Sequence, residues 1–155
     1  MIITEFNVCG KPITQGSKRA ISKGYMRDTS DEATKHQPAN RLRDWKANIE
    51  GAALLAMMGL PYDIERGPVN VSAQFVFERH PSSWLKSGGI KKGSPTIPRG
   101  DLDKLFRAIG DAMSGIVYKD DNQIVSWDGS YKRFAEPNES AGVYIVVSRG
   151  VGASV

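Results

Sequence analysis

The chain has 155 residues, 40% of them hydrophobic and 25% charged, with a single cysteine, Cys9. That composition argues against disorder as the main state and against a disulfide-stapled scaffold, and is enough for one ordinary core. The net charge of +4 is a mild bias, and its distribution carries more information than its size.

The opening MIITEFNV lacks the basic region of a signal peptide and contains Glu5 and Asn7. Residues 2–9, rich in β-branched and aromatic types, predict a strand. Residues 10–35 are polar and rich in Gly, Ser and Lys, and are expected to form a long loop. Pro38 can open a helix over 38–58, where Leu42, Trp45, Ile49, Ala52, Ala53 and Ala56 recur on one face, with Gly59 and Pro61 as stops. Its apolar run GAALLAMMGL is too short to span a bilayer. Val69, Val71, Ala73, Phe75 and Phe77 alternate, which predicts a half-buried strand. A second polar loop follows from Arg79 to Gly100. Leu102, Leu105, Phe106, Ile109 and Met113 form a helical stripe with Gly115 as its stop. QIVSWDGSYKRF and GVYIVVSR read as two further strands. The order β-α-β-α-β-β predicts an α+β fold, a small mixed sheet carrying two helices and long basic loops. It forms a single domain over 1–149, with a flexible tail at 150–155. The expected location is the cytoplasm.

Both long loops are basic. Lys11, Lys18, Arg19, Lys23 and Arg27 fall between Gly10 and Arg27, and Arg79, Lys86, Lys91, Lys92 and Arg99 between Arg79 and Arg99, each stretch without an acid. Five of the 17 acids, Asp101, Asp103, Asp111, Asp120 and Asp121, lie within 21 residues. Carboxylates flanked by basic loops suit a polyanion whose phosphates are handled through a metal ion. Other chemistries find little support. GGIKKGSP lacks the lysine after its last glycine and precedes no helix. His36 and His80 have no metal-ligand spacing, and no serine sits in a nucleophile elbow. Trp45 and Trp127 suit a core. Trp84, in a basic loop, suits either an anchor or a platform for an unpaired base.

The stretch from Arg99 to Gln123, RGDLDKLFRAIGDAMSGIVYKDDNQ, is the informative one. Asp101 falls at an N-cap position and Asp103 in the first helical turn, both near the helix's positive end. Asp103, Arg107 and Asp111 share a face, which an ordinary salt-bridged surface also explains. Adjacent Asp120 and Asp121 are less easily explained that way. If their turn folds back to the helix start, three or four carboxylates converge, and all-oxygen ligation favours magnesium or manganese.

This stretch resembles the signature of the RusA-type Holliday-junction resolvases. That signature runs Asp-x-Asp-Asn-Leu-x-Lys, then Asp-Ala-Leu with a glycine, then Asp-Asp and a Gln. Asp101, Asp103, Leu105, Asp111, Ala112, Gly115, Asp120, Asp121 and Gln123 match it, and the opening GKPITQGSKR and the strand from Val69 also look like family features. The resemblance implies a magnesium-dependent endonuclease, with manganese as a substitute. Such an enzyme nicks four-way DNA junctions symmetrically in recombination and repair, as a homodimer. It implies that Asp101, Asp103 and Asp121 are the essential carboxylates, with Asp120 in support. Two positions depart from the pattern: Lys104 replaces the family's Asn and Arg107 its catalytic Lys. Arg107 keeps a charge that can grip phosphate but gives up a proton poorly. Lys11, Lys18, Arg19, Lys91, Lys92, Arg99 and Lys104 are the expected DNA contacts. The alternative reading is a branched-DNA-binding protein that does not cut. A third is a basic adaptor whose aspartates are merely solvated.

Overall fold

The computed structural model describes residues 1–16, 18–22, 25–28, 41–61 and 63–151, with 18–22 and 25–28 as backbone alone. Its elements in chain order are β1 (Ile2–Cys9), β2 (Lys18–Ser22), β3 (Tyr25–Asp28), α1 (Arg41–Met57), β4 (Val69–Phe77), α2 (Leu102–Met113), β5 (Ile124–Ser126), β6 (Tyr131–Phe134) and β7 (Gly142–Arg149). The main sheet has five strands. Its order is β1-β7-β4, and β5 and β6 share the far edge of β4. β7 runs antiparallel to β1 and β4, whereas β5 and β6 run parallel to β4. The sheet is therefore mixed and the fold α+β, as the sequence pattern predicts.

Alternation decides which face of the sheet is buried. Val69, Val71, Ala73 and Phe75 of β4 and Val143, Ile145 and Val147 of β7 point to one side and are almost fully buried. Trp45, Ile49 and Ala53 of α1 and Leu105, Ala108, Ile109 and Met113 of α2 close that side. Each helix thus offers the apolar stripe read from its spacing. α1 lies against β1 and α2. At the end of α2, Ser114 is the C-cap and Gly115 follows at φ +80°, the left-handed residue that helix ends favour.

Three expectations need correction. The first basic loop is not irregular throughout: 18–22 and 25–28 pair as an antiparallel hairpin. No alternation marks these strands, because their apolar residues stand side by side, Ala20 with Ile21 and Tyr25 with Met26. The expected strand over QIVSWDGSYKRF is two strands, because Gly129 turns the chain at φ +75°. Ser130 Oγ there accepts from the Ala73 N–H at 2.9 Å and fills the break along the β4 edge. Gly150, expected in the tail, is buried, and its N–H donates to Pro68 O at 2.7 Å. His36, Pro38 and residues 152–155 lie outside the described residues.

Candidate active site

β4, α2 and β5 form a crossover unit, and the acids lie on its connections. β4 and β5 are parallel neighbours joined through α2. The helix must therefore pack across the sheet and bring the start of β5 back beside itself. Gly110 sets how closely. A Cβ there would lie 3.3 Å from Ile124 Cδ1 and 3.7 Å from Asp121 Cβ. Its carbonyl accepts from buried Tyr118 Oη at 2.8 Å and from Ser114 Oγ at 3.1 Å, which locks the end of α2 to the following turn.

The result is an open cleft of about 360 Å³ lined by Asp103, Phe106, Arg107, Gly110, Asp121, Ile124 and Trp127. Phe106 and Trp127 stack in its wall with centroids 4.3 Å apart. Two carboxylates and a guanidinium, separated by up to 18 positions in the chain, thus face one cavity. Asp121 is crowded: burial, then the charges of Asp120 and Asp111, push its carboxyl above the ordinary value. Burial, then the charges of Asp121 and Asp111, raise the Tyr118 phenol.

The other sequence-predicted acids are placed differently. The turn carrying Asp120 and Asp121 comes back beside Gly110 of α2 rather than to the helix start. Among the described residues, no three His, Cys, Asp or Glu side chains gather tightly enough to hold a metal. Asp120 caps its own turn. Its carboxylate accepts from the Asn122 N–H at 2.9 Å, while Gln123 Oε1 accepts from the Asp120 N–H at 2.8 Å. The Gln123 amide also donates to Glu65 O and Gly67 O, bolting this turn to the segment before β4. Asp101 stands at the N-cap of α2 without a side-chain capping bond and pairs with Lys104 at 3.3 Å. Asp111 pairs with Lys46 of α1.

Of the expected DNA contacts, Lys11, Lys91, Lys92, Arg99 and Lys104 are exposed. The side chains of Lys18 and Arg19 lie outside the described residues. The second basic loop is built rather than loose. Lys91 N–H donates to Ser83 O at 2.9 Å, Trp84 bridges to Ile90, and His80 Nδ1 accepts from the Ser82 N–H. Trp84 is half-buried.

Sequence reasoning missed the supports. Residues 10–16 form a strap across α2, in which the Gln15 N–H donates to Lys104 O at 3.0 Å. Lys132 of β6 donates to Pro98 O at 2.9 Å and Gly100 O at 2.7 Å. A lone lysine in a short strand gives no signal of such a role, because its partners are backbone carbonyls.

The family model for Endodeoxyribonuclease RusA matches residues 10–148, which include the strap, both helices and the whole cleft. The chain belongs to the RusA endodeoxyribonuclease family. A relative, the uncharacterized protein YqaN of Bacillus subtilis (strain 168), is 30% identical over 130 residues, covering 78% of this chain and 81% of its own. The RusA match spans the acid-bearing crossover unit and leaves residues 1–9 and 149–155 outside it.

Proposed function

We propose that this RusA-family nuclease cuts four-way DNA junctions at the cleft between α2 and β5, with Asp103, Asp121 and Arg107 as its catalytic residues. The observation that carries this reading is the presence of those side chains on one open cavity. Magnesium takes one or two carboxylates plus water and substrate phosphate, so Asp103 and Asp121 fit its chemistry without a closed protein cage. When bound, magnesium or manganese supplies an acidified water and neutralises charge on the phosphoryl oxygens. Asp103 and Asp121 would hold the hard cation. Arg107, beside them, grips a non-bridging or leaving oxygen through its planar fork. It steadies that charge without delivering a proton, which leaves protonation of the leaving oxygen to solvent. Asp101, which pairs with Lys104, would join them if Lys104 paired with a phosphate instead. Asp120 serves by fixing the turn that presents Asp121, a supporting role exercised through its capping bonds.

Phosphate contacts come from Lys11, Lys18, Arg19, Lys91, Lys92, Arg99 and Lys104, which neutralise the backbone without reading sequence. Two matched nicks need two cleavage sites related by the junction's dyad, and a C2 homodimer provides them. The end of α1 exposes Leu54, Leu55 and Met58 at 54%, 71% and 72%. The outer sheet face is more polar, with Tyr144 bonded to Glu5 and Tyr131 to Gln74. The α1 end therefore offers the more apolar seam. The chain works in recombination and repair in the cytoplasm of a bacterial or phage-infected cell.

A labelled synthetic four-way junction incubated with and without magnesium tests the activity. Paired nicks only with the metal are expected. Tight binding without cutting in either condition would favour the non-cleaving reading, to which Lys104 and Arg107 lend their departures from the family pattern. Sedimentation at micromolar concentration tests the dimer.

A further inference from the structure

We propose that Lys132 is the positioning residue of the nuclease cleft, holding the turn that aims Asp101 and Asp103. The proposal rests on the functional reading above. Lys132 pairs in register with Phe75 on the neighbouring parallel strand, so both side chains leave the sheet on the helix-covered face. Phe75 packs against Phe106 of α2, with ring centroids 6.1 Å apart. The Lys132 ammonium therefore reaches the approach to α2, where it donates to Pro98 O at 2.9 Å and Gly100 O at 2.7 Å. Those carbonyls flank Arg99, and that of Gly100 immediately precedes Asp101. Among the described residues no carboxylate pairs with Lys132, so its charge is spent on these backbone acceptors.

The turn it holds cannot relax elsewhere. Gly100 has φ +104°, and a Cβ there would lie 3.0 Å from Thr14 Cγ2 of the strap. On that side the Gln15 N–H donates to Lys104 O at 3.0 Å. The start of α2 is thus held between the strap and β6. Asp101 makes no side-chain capping bond, and its ion pair with Lys104 lies on the same helix, so neither ties it to the rest of the fold. A small misplacement of a reacting group costs on the order of a hundredfold in rate, and Lys132 is the group that prevents one here.

The test compares Lys132→Met, Lys132→Gln and Lys132→Arg in the full chain. Lys132→Met should lower kcat on a four-way junction on the order of a hundredfold. KM, and the salt slope of metal-free junction binding, should stay unchanged. Lys132→Arg, which keeps the charge and two N–H groups for the two carbonyls, should recover most of the rate. Lys132→Gln, neutral and shorter, should lose rate like Lys132→Met and serves if that variant does not fold. Two readouts need no cleavage. Manganese titrated calorimetrically into the protein alone should bind more weakly to Lys132→Met. The Leu105 amide, which donates to Asp101 O at 3.0 Å, should exchange its hydrogen faster. Unchanged kcat with unchanged Leu105 exchange would overturn the proposal. So would a rate loss matched by a fall of about 0.9 in the salt slope, the mark of a phosphate contact. If the wild-type chain cuts nothing, the functional reading fails, while Leu105 exchange still decides whether Lys132 holds the turn.

Discussion

The acids of the cleft and the acid of the β6–β7 turn follow opposite rules. At the turn, Arg133 grips Glu139 through two nitrogens, one bond being 2.7 Å, and the Glu136 N–H adds a third contact. The Arg133 hydrogen bond, then that backbone bond, pull the Glu139 carboxyl down to about 2. In the cleft, Asp121 is pushed the other way by burial and by two neighbouring aspartates. Asp120 and Asp121 repeat the contrast one residue apart: Asp120 spends its carboxylate on a cap, and Asp121 faces the cavity. Acids that build the fold are supplied with donors, and acids left crowded in a cleft are those available to a cation and a phosphate.

Replacing the crowded acid should give the largest effect. Asp121→Asn is expected to lower cleavage by about a thousandfold or more, since metal-assisted charge stabilisation is worth several kcal/mol, while metal-free junction binding persists. The same change should raise Tm at pH 7. The folded-state pKa of Asp121 lies above its unfolded value, near 3.8. The destabilisation is therefore absent at low pH, grows as pH rises through the unfolded value and is complete above the folded one. The Tm gap between variant and wild type should close as pH falls below that window. Full cleavage by Asp121→Asn, or a lower Tm at pH 7, would break the comparison. Asp103→Asn should lose cleavage to a similar extent.

A smaller effect is expected from Lys46, which pairs with Asp111 beside the cleft. Lys46→Met removes that partner and lets the Asp111 charge weigh more on Asp121. The acid limb of the pH–rate profile should move to higher pH, with a severalfold loss of rate on that limb. An unmoved limb would separate Asp111 from the electrostatics of the cleft.

The fold was readable where burial imposes a period. β1, β4, β7 and both helices follow from alternation or from a helical stripe, because one face of each is buried. The β2–β3 hairpin escaped because its apolar residues, Ala20 with Ile21 and Tyr25 with Met26, are adjacent rather than alternating. The break between β5 and β6 escaped because Trp127 and Gly129 sit inside an otherwise strand-like run. The carboxylates were legible from their order and spacing, and the cleft joins Asp103 to Asp121. The supports were not legible: Gly110, Gln15, Lys46 and Lys132 act through close approach, or through partners 65 to 96 positions away or on backbone carbonyls. Nothing local in the sequence encodes such partners.

The basic loops sharpen the contrast at a distance from the acids. Lys91 and Lys92 are exposed on a loop that is internally hydrogen-bonded, so replacing them should not disturb the cleft. The double alanine variant should lower the slope of log affinity against log salt by up to about two, each phosphate contact contributing roughly 0.9 on duplex DNA. The loss should be uniform across junction sequences, because phosphate contacts carry no base information. An unchanged slope would remove this loop from the DNA surface.

The smallest effect belongs to the matched pair. Glu139 has a folded-state pKa of about 2 against an ordinary value of 4.5. Its stabilising contribution is present above the unfolded value and is lost as pH falls through the folded one. Glu139→Gln should therefore lower Tm slightly at pH 7, with variant and wild type converging toward pH 2. The pair is open to solvent, so screening keeps the effect small, and 1 M salt should narrow it further. Junction cleavage should not change, because Glu139 lines the far hollow beside Trp84 and Arg79 rather than the cleft between α2 and β5. A cleavage defect in Glu139→Gln would mean that the two regions are coupled, and the division between acids that build and acids that react would fail at its simplest point.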